Sequence, residues 1–253
     1  MKRRALILLA LTGGASAAAA APPQFGRASL SAYATLTSDH RERGLSQSGG
    51  DPALLLGLDY QHRTGFFTGL SGAFGRYGDD SNEGYERGGQ GAQAQSALAL
   101  RGRSELELYA GYNWRNAIWS ATAAYSRYLY PQSAFDYAYN ERGAGFGFRD
   151  RVFVTLSYTP ALFARGPSAL EAEAAFNFPF DRGITFGGTL GRVDSDAFAG
   201  GRYTEWNLGA SKTAGPLTLD LRFYDNDARG GNFYGAPLPD KWVLSLSYGF
   251  STR

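Results

Sequence analysis

Carboxylates spaced two residues apart are the groups of this chain best placed to do chemistry. Glu105 and Glu107 form one such pair, Glu171 and Glu173 another. Successive side chains on a β-strand point to opposite faces, so residues i and i+2 share one face. Two carboxylates on one face suggest acid–base hydrolysis or a charged lining that selects among solutes. The opposite faces decide where such a lining would look. Leu106, Leu108, Ala110, Tyr112 and Trp114 alternate with the first pair; Leu170, Ala172, Ala174, Phe176 and Phe178 alternate with the second. An Arg or Lys facing lipid at mid-membrane costs about 2–4 kcal/mol, and Asp or Glu somewhat less. If the apolar face meets lipid, the carboxylates look inward. By the same parity Asp59, Glu205, Asp220 and Arg222 join Glu105, Glu107, Glu171 and Glu173 as pore-lining candidates. The alternative use of these charges is an interior salt-bridge network that fills a narrow barrel and passes nothing. The i, i+2 spacing follows from the strand whatever the function, and nothing places a substrate between the pair. The chain is therefore read as a non-enzyme with no catalytic residue and no cofactor.

Other polar clusters are weaker. Ser38, Asp39 and His40 lie together with Ser46 close behind, but members of a catalytic triad converge in space rather than in sequence. His40 is read as a polar loop histidine. The charge-dense segment Asp39–Asp51, with Arg41, Glu42 and Arg43 before Gly44, has two equal readings: it folds inward and narrows the mouth, or it is a solvated loop. Asp225, Asn226 and Asp227 offer hard oxygen ligands but lack the spacing of a known calcium loop. With Cys 0 and His 2, no thiolate, disulfide or histidine-rich metal site can be built, so no metal is expected.

The elements that would position these residues announce themselves by period-2 apolarity. At the end of the chain Trp242, Leu244, Leu246, Tyr248 and Phe250 alternate with Lys241, Val243, Ser245, Ser247 and Gly249. A strand of about ten residues can cross a bilayer. The pattern recurs over about twelve strands, an even number as bacterial barrels require. They begin with 27–37, 53–62 and 66–74, include 151–159 and end with the C-terminal stretch. Phe135–Phe148, the sixth, alternates poorly. Links after even-numbered strands are tight: Arg63–Gly65, Arg115–Asn116, Arg149–Asp150, Pro179–Gly183 and Thr213–Pro216. Most links after odd-numbered strands are longer, as in Arg76–Arg103, Val193–Arg202 and Asp225–Asp240. Short periplasmic turns and long external loops have this order. Gly84–Gly91 is read as external loop, and alternation from about Gln93 could extend the strand that follows.

The first 20 residues read as a signal peptide, with Lys2, Arg3 and Arg4 before an apolar run and small residues from Ala15 to Ala21. Residues 21–253 then form the barrel. Removing three of 25 basic side chains leaves 22 against 23 acidic ones, a balance that argues against a nucleic-acid partner. Aromatic residues at 15% and Gly 34 fit a barrel with interfacial girdles. The fold expected is all-β: a single antiparallel transmembrane β-barrel in the cell outer membrane of a Gram-negative bacterium, in contact with outer-membrane lipid. The oligomeric state is not written in the sequence.

Leu36-Thr37-Ser38-Asp39, Arg43-Gly44-Leu45-Ser46-Gln47-Ser48 and Pro52-Ala53-Leu54 closely resemble the opening signature of the TorF-type porin family, proteobacterial outer-membrane proteins long grouped only as conserved and of unknown function. Glu105–Tyr112, Tyr203-Thr204-Glu205-Trp206 and Ser245-Leu246-Ser247 extend the resemblance over nearly the whole mature chain. His40 and Glu42 stand where that signature is expected to carry aromatics. The resemblance implies a porin and assigns no substrate and no catalytic residue. The function expected is passive diffusion of small hydrophilic solutes through a polar lumen; the alternative is a closed structural or adhesive barrel acting through its external loops.

Overall fold

The computed structural model describes residues 28–75, 104–131, 138–162, 166–196, 201–228 and 241–252. The signal-peptide reading of residues 1–20, the loop reading of Gly84–Gly91 and the extension from Gln93 lie outside them. The described chain is all-β, without an α-helix. Its strands are β1 (Ser29–Thr37), β2 (Arg41–Glu42), β3 (Leu45–Ser46), β4 (Ala53–Gln61), β5 (Phe66–Gly75), β6 (Ser104–Arg115), β7 (Trp119–Leu129), β8 (Tyr139–Phe148), β9 (Val152–Thr159), β10 (Ala169–Pro179), β11 (Ile184–Asp194), β12 (Arg202–Ala214), β13 (Leu217–Asn226) and β14 (Lys241–Ser251). β2 and β3 form a small separate hairpin; the other twelve close one antiparallel barrel.

Closure follows from the backbone. An unpaired strand edge exposes N–H and C=O groups that hydrocarbon cannot satisfy, and only a closed sheet removes it. Here β1 pairs with β14 from Ser31↔Ser251 to Thr37↔Ser245, and on its other side with β4 from Ser29↔Gln61 to Thr37↔Ala53. Side-chain parity sorts the faces. Leu54, Leu56, Leu58 and Tyr60 of β4 stand exposed on the outside, while Ala53 and Leu55 are buried within. Leu217, Leu219 and Leu221 of β13 and Leu244, Leu246 and Tyr248 of β14 continue the outer apolar band.

Aromatics mark both rims. Phe66–Tyr112, Trp119–Phe148 and Phe180–Phe186 pair at the end where connections are short, with ring centroids 5.1, 4.9 and 5.2 Å apart. At the opposite end Phe223 of β13 contacts Trp206 of β12 at 5.6 Å and Trp242 of β14 at 5.3 Å. Such girdles place amphipathic rings at membrane interfaces.

The short connections span 62–65, 116–118, 149–151, 180–183 and 215–216, so several boundaries move relative to the sequence pattern. Arg115, Pro179, Thr213 and Ala214 belong to strands rather than turns, as do Val193, Asp194, Arg202, Asp225 and Asn226. In the β8–β9 turn Arg149 and Asp150 both have positive φ, 51° and 55°, and the Arg151 N–H donates to the Phe148 carbonyl at 3.0 Å. Positive φ at both central residues matches the right-handed twist of a two-residue hairpin. Among the described residues the sixth strand of the pattern begins at Tyr139; residues 135–137, where the sequence pattern opens it, lie outside them. Its poor alternation has a structural cause: the inward positions Gly143, Gly145 and Gly147 carry no side chain to contrast with the outward Ala144, Phe146 and Phe148.

Candidate functional site

The interior at the long-connection end is built around the hairpin β2–β3. Of the two readings of Asp39–Asp51, the inward fold is the one adopted: Asp39, Arg41, Glu42, Arg43, Leu45, Ser46 and Ser48 are each at most 4% exposed. His40 is buried with them at 6%, so it is not a solvated loop histidine. The chain reverses at Arg43 and Gly44, whose φ values of 50° and 72° again suit a two-residue hairpin turn. Gly44 is required twice over, since a Cβ there would also stand 2.6 Å from Glu205 Cβ.

Asp39 organises the base of the hairpin. Its carboxylate accepts Arg41 Nε–H at 2.8 Å and Ser46 Oγ–H at 2.5 Å, with Ser48 Oγ at 3.1 Å. The Ser48 hydroxyl in turn accepts the His40 N–H at 2.9 Å, and the Gln47 N–H donates to the His40 carbonyl at 2.7 Å. Ser46 and Asp39 therefore do meet, but the serine donates to the carboxylate, an arrangement that orders a loop rather than activating a nucleophile. The Arg41 guanidinium sits over the Tyr224 ring, 5.8 Å from its centroid.

The tip reaches across the lumen. Arg43 is ion-paired to Glu141 of β8 and, through Nε at 2.7 Å, to Glu171 of β10. Its carbonyl accepts the Tyr203 hydroxyl of β12 at 2.9 Å, and the Gly44 carbonyl accepts Asn226 Nδ2–H of β13 at 3.1 Å. Lys241 of β14 donates to the Gly50 carbonyl at 2.9 Å. Leu45 anchors the hairpin in an apolar cluster with Tyr128, Tyr139, Leu162, Val193 and Tyr203, in which Tyr128 and Tyr139 stack at 4.6 Å. A buried ion pair survives only when geometry and further hydrogen bonds repay desolvation; Arg43 has both.

On the other side of the hairpin the charges do not balance. Glu42 faces Glu105 and Glu107 across a cavity of about 40 Å³. Burial, then the negative charge of Glu105, pushes the Glu42 carboxyl well above the usual carboxylate range. Burial holds the His40 imidazole down at about 4, opposed by the Asp39 carboxylate.

The eight sequence-chosen residues occupy several places. Glu105 accepts the Tyr130 hydroxyl at 2.7 Å and Glu107 the Ser71 hydroxyl at 3.0 Å. Glu171, Glu173 and Glu205 bring carboxylate oxygens within 4.8 Å of one another beside Arg43, and Glu205 is 2% exposed. Asp59, half-buried toward the short-turn end, accepts the Tyr109 hydroxyl. Asp220 pairs with Arg222 at 3.2 Å, and Arg222 donates to Asn207 Oδ1 at 2.7 Å. Glu141 was not legible because its strand alternates glycine with apolar residues. Asn226 bonds the hairpin, Asp225 caps the Asn226 N–H at 2.8 Å, and Asp227 accepts the Thr204 N–H at 2.5 Å, so this acidic run has its own backbone partners.

No curated protein matches the chain. Solved structures do. A KdgM porin covers 88% of this chain and 99% of its own, at 11% identity and TM-score 0.51. A NanC porin covers 88% and 98%, at 8% identity and TM-score 0.49. An outer membrane channel from Pseudomonas putida F1 covers 90% and 96%, at 13% identity and TM-score 0.49. At 11% identity the likeness to the KdgM porin is one of fold. A family model described as "Bacterial protein of unknown function (Gcw_chp)" matches residues 18–247, nearly the whole length of the barrel, and the chain belongs to that family.

Proposed function

We propose that this chain is an outer-membrane porin of the TorF type, through which small hydrophilic solutes diffuse passively past a constriction made by its own first long connection. One observation carries the reading: a closed barrel with an apolar outer band has a polar interior into which the hairpin β2–β3 folds, tied by Arg43 to Glu141 and Glu171. A pore needs lipid outside, polar groups inside and a narrowing that sorts solutes. Asp59, Glu105, Glu107, Glu171, Glu173, Glu205, Asp220 and Arg222 line the path, and the surplus of carboxylates concentrates cations between low-dielectric walls. The barrel end opposite the short turns faces outside the cell and both ends of the described chain lie at the periplasmic side, behind a cleaved leader. No cofactor or energy source takes part.

The same ion pairs favour a second reading, a closed structural barrel whose external connections carry the function. Osmotic swelling of liposomes containing the purified barrel separates the two. A porin gives swelling rates that fall steeply with the size of neutral sugars. Liposomes that fail to swell, although the barrel in them is folded, would support the closed form.

A further inference from the structure

The cavity beside Glu42 carries an inference that the diffusion reading does not contain. It lies between the hairpin and the wall formed by β1 and β4–β7, and its polar lining is mostly acidic or phenolic: Glu42, Glu105, Glu107, Tyr33 and Tyr128, with Ser71, already donating to Glu107, and the buried His40 beside them. Among the described residues no Lys or Arg lines it. Three polar atoms here, Glu42 Oε1, Glu107 Oε1 and Tyr128 Oη, are buried without a hydrogen-bond partner. Their residues are 4%, 5% and 1% exposed. A buried polar atom left unpaired costs roughly 1–3 kcal/mol, more when charged, and native proteins seldom leave three together.

What would satisfy them is constrained. A cation arriving here would ionise the carboxyls, Glu42 included, and ionised oxygens accept and do not donate, so the occupant must bring N–H or O–H donors together with its positive charge. A bare divalent ion needs its oxygen ligands gathered at 2.3–2.6 Å around one centre. Among the described residues the carboxylates drawn that close are Glu171, Glu173 and Glu205, not these. The wider spacing suits a larger cation that reaches its acceptors through hydrogens. The volume, about 40 Å³, admits a group not much larger than water. Leu55 and the rings of Tyr33 and Tyr128 supply apolar wall for a carbon next to the charged nitrogen.

We propose that this cavity binds the primary ammonium group of a small amine, held by Glu42, Glu107 and the Tyr128 hydroxyl. The inference rests on the interior being open to solutes, and names one class of them. Binding rather than flux tests it, so the two readings fail separately. The folded full barrel in detergent micelles is titrated calorimetrically with methylammonium chloride, and with tetramethylammonium chloride and sodium chloride at equal ionic strength. Saturable binding of methylammonium, absent for tetramethylammonium, which has the charge without the donors, is the expected result. Glu107→Gln should weaken it at least tenfold, and Tyr128→Phe, which keeps the ring and the fold, three- to tenfold. Equal heats for all three salts, or methylammonium binding unchanged in both variants, would overturn the proposal and leave water or a proton as the occupant. Methylammonium binding in a barrel that passes no sugar would sustain the site and defeat the porin reading.

Discussion

Arg43 pairs with both Glu141 and Glu171, and its removal is the sharpest residue-scale experiment. Breaking one partner out of a buried ion pair costs on the order of 3–5 kcal/mol, because the remaining carboxylates stay buried and uncompensated. Arg43→Gln should therefore unseat the hairpin while the barrel still closes. The natural chain has Cys 0, so Gln47→Cys supplies a lone thiol on the hairpin. Its reaction with a bulky membrane-impermeant thiol reagent should quicken at least tenfold when Arg43→Gln is added; an unchanged rate in folded protein would show that Arg43 does not hold the hairpin down. His40 sets a pH dependence. Its folded value, about 4, lies below the ordinary 6.5, so its contribution to the seated hairpin is complete above about pH 6.5 and is lost as pH falls through about 4. The shift corresponds to roughly 3 kcal/mol at the acid limit. Glu42, pushed upward, acts with the opposite sign, its contribution lost as pH rises. Between pH 7 and 4 the heat-unfolding midpoint should drop further in the natural chain than in His40→Gln; parallel curves would count against a buried neutral imidazole.

Strands differ in how plainly they were written. β4, β6, β10 and β13 alternate large apolar residues with polar or charged ones, and their faces follow directly from parity. β8 hides because its inward face is mostly glycine, and Glu141 hides with it. The hairpin β2–β3 was open to either reading because two-residue strands have no periodicity to measure; what draws Asp39–Ser48 inward are partners on β8, β10, β12 and β13, which lie about 100 to 180 residues away along the chain. The glutamates at alternating positions were legible as inward, but not which of them would meet Arg43. β14 provides the strongest element-scale prediction. It pairs with both β13 and β1, so deleting residues 241–253 leaves two unsatisfied edges. The truncated chain should disappear from the outer membrane and be degraded; normal abundance there would mean that closure does not depend on this strand.

At the scale of the molecule, a closed apolar-banded barrel and a hairpin folded into it are the features on which the proposed narrowed channel rests. The KdgM porin likeness extends over nearly all of both chains and concerns the barrel. If the hairpin is the constriction, it sets the conductance. The most direct measurement compares single-channel recordings in planar bilayers for the natural barrel and for one whose residues 41–46 are replaced by a Gly-Ser turn of the same length. The account predicts stepwise conductance from the natural barrel and unitary steps at least twice as large from the replacement. Silence from both barrels, each folded and heat-modifiable, would contradict it.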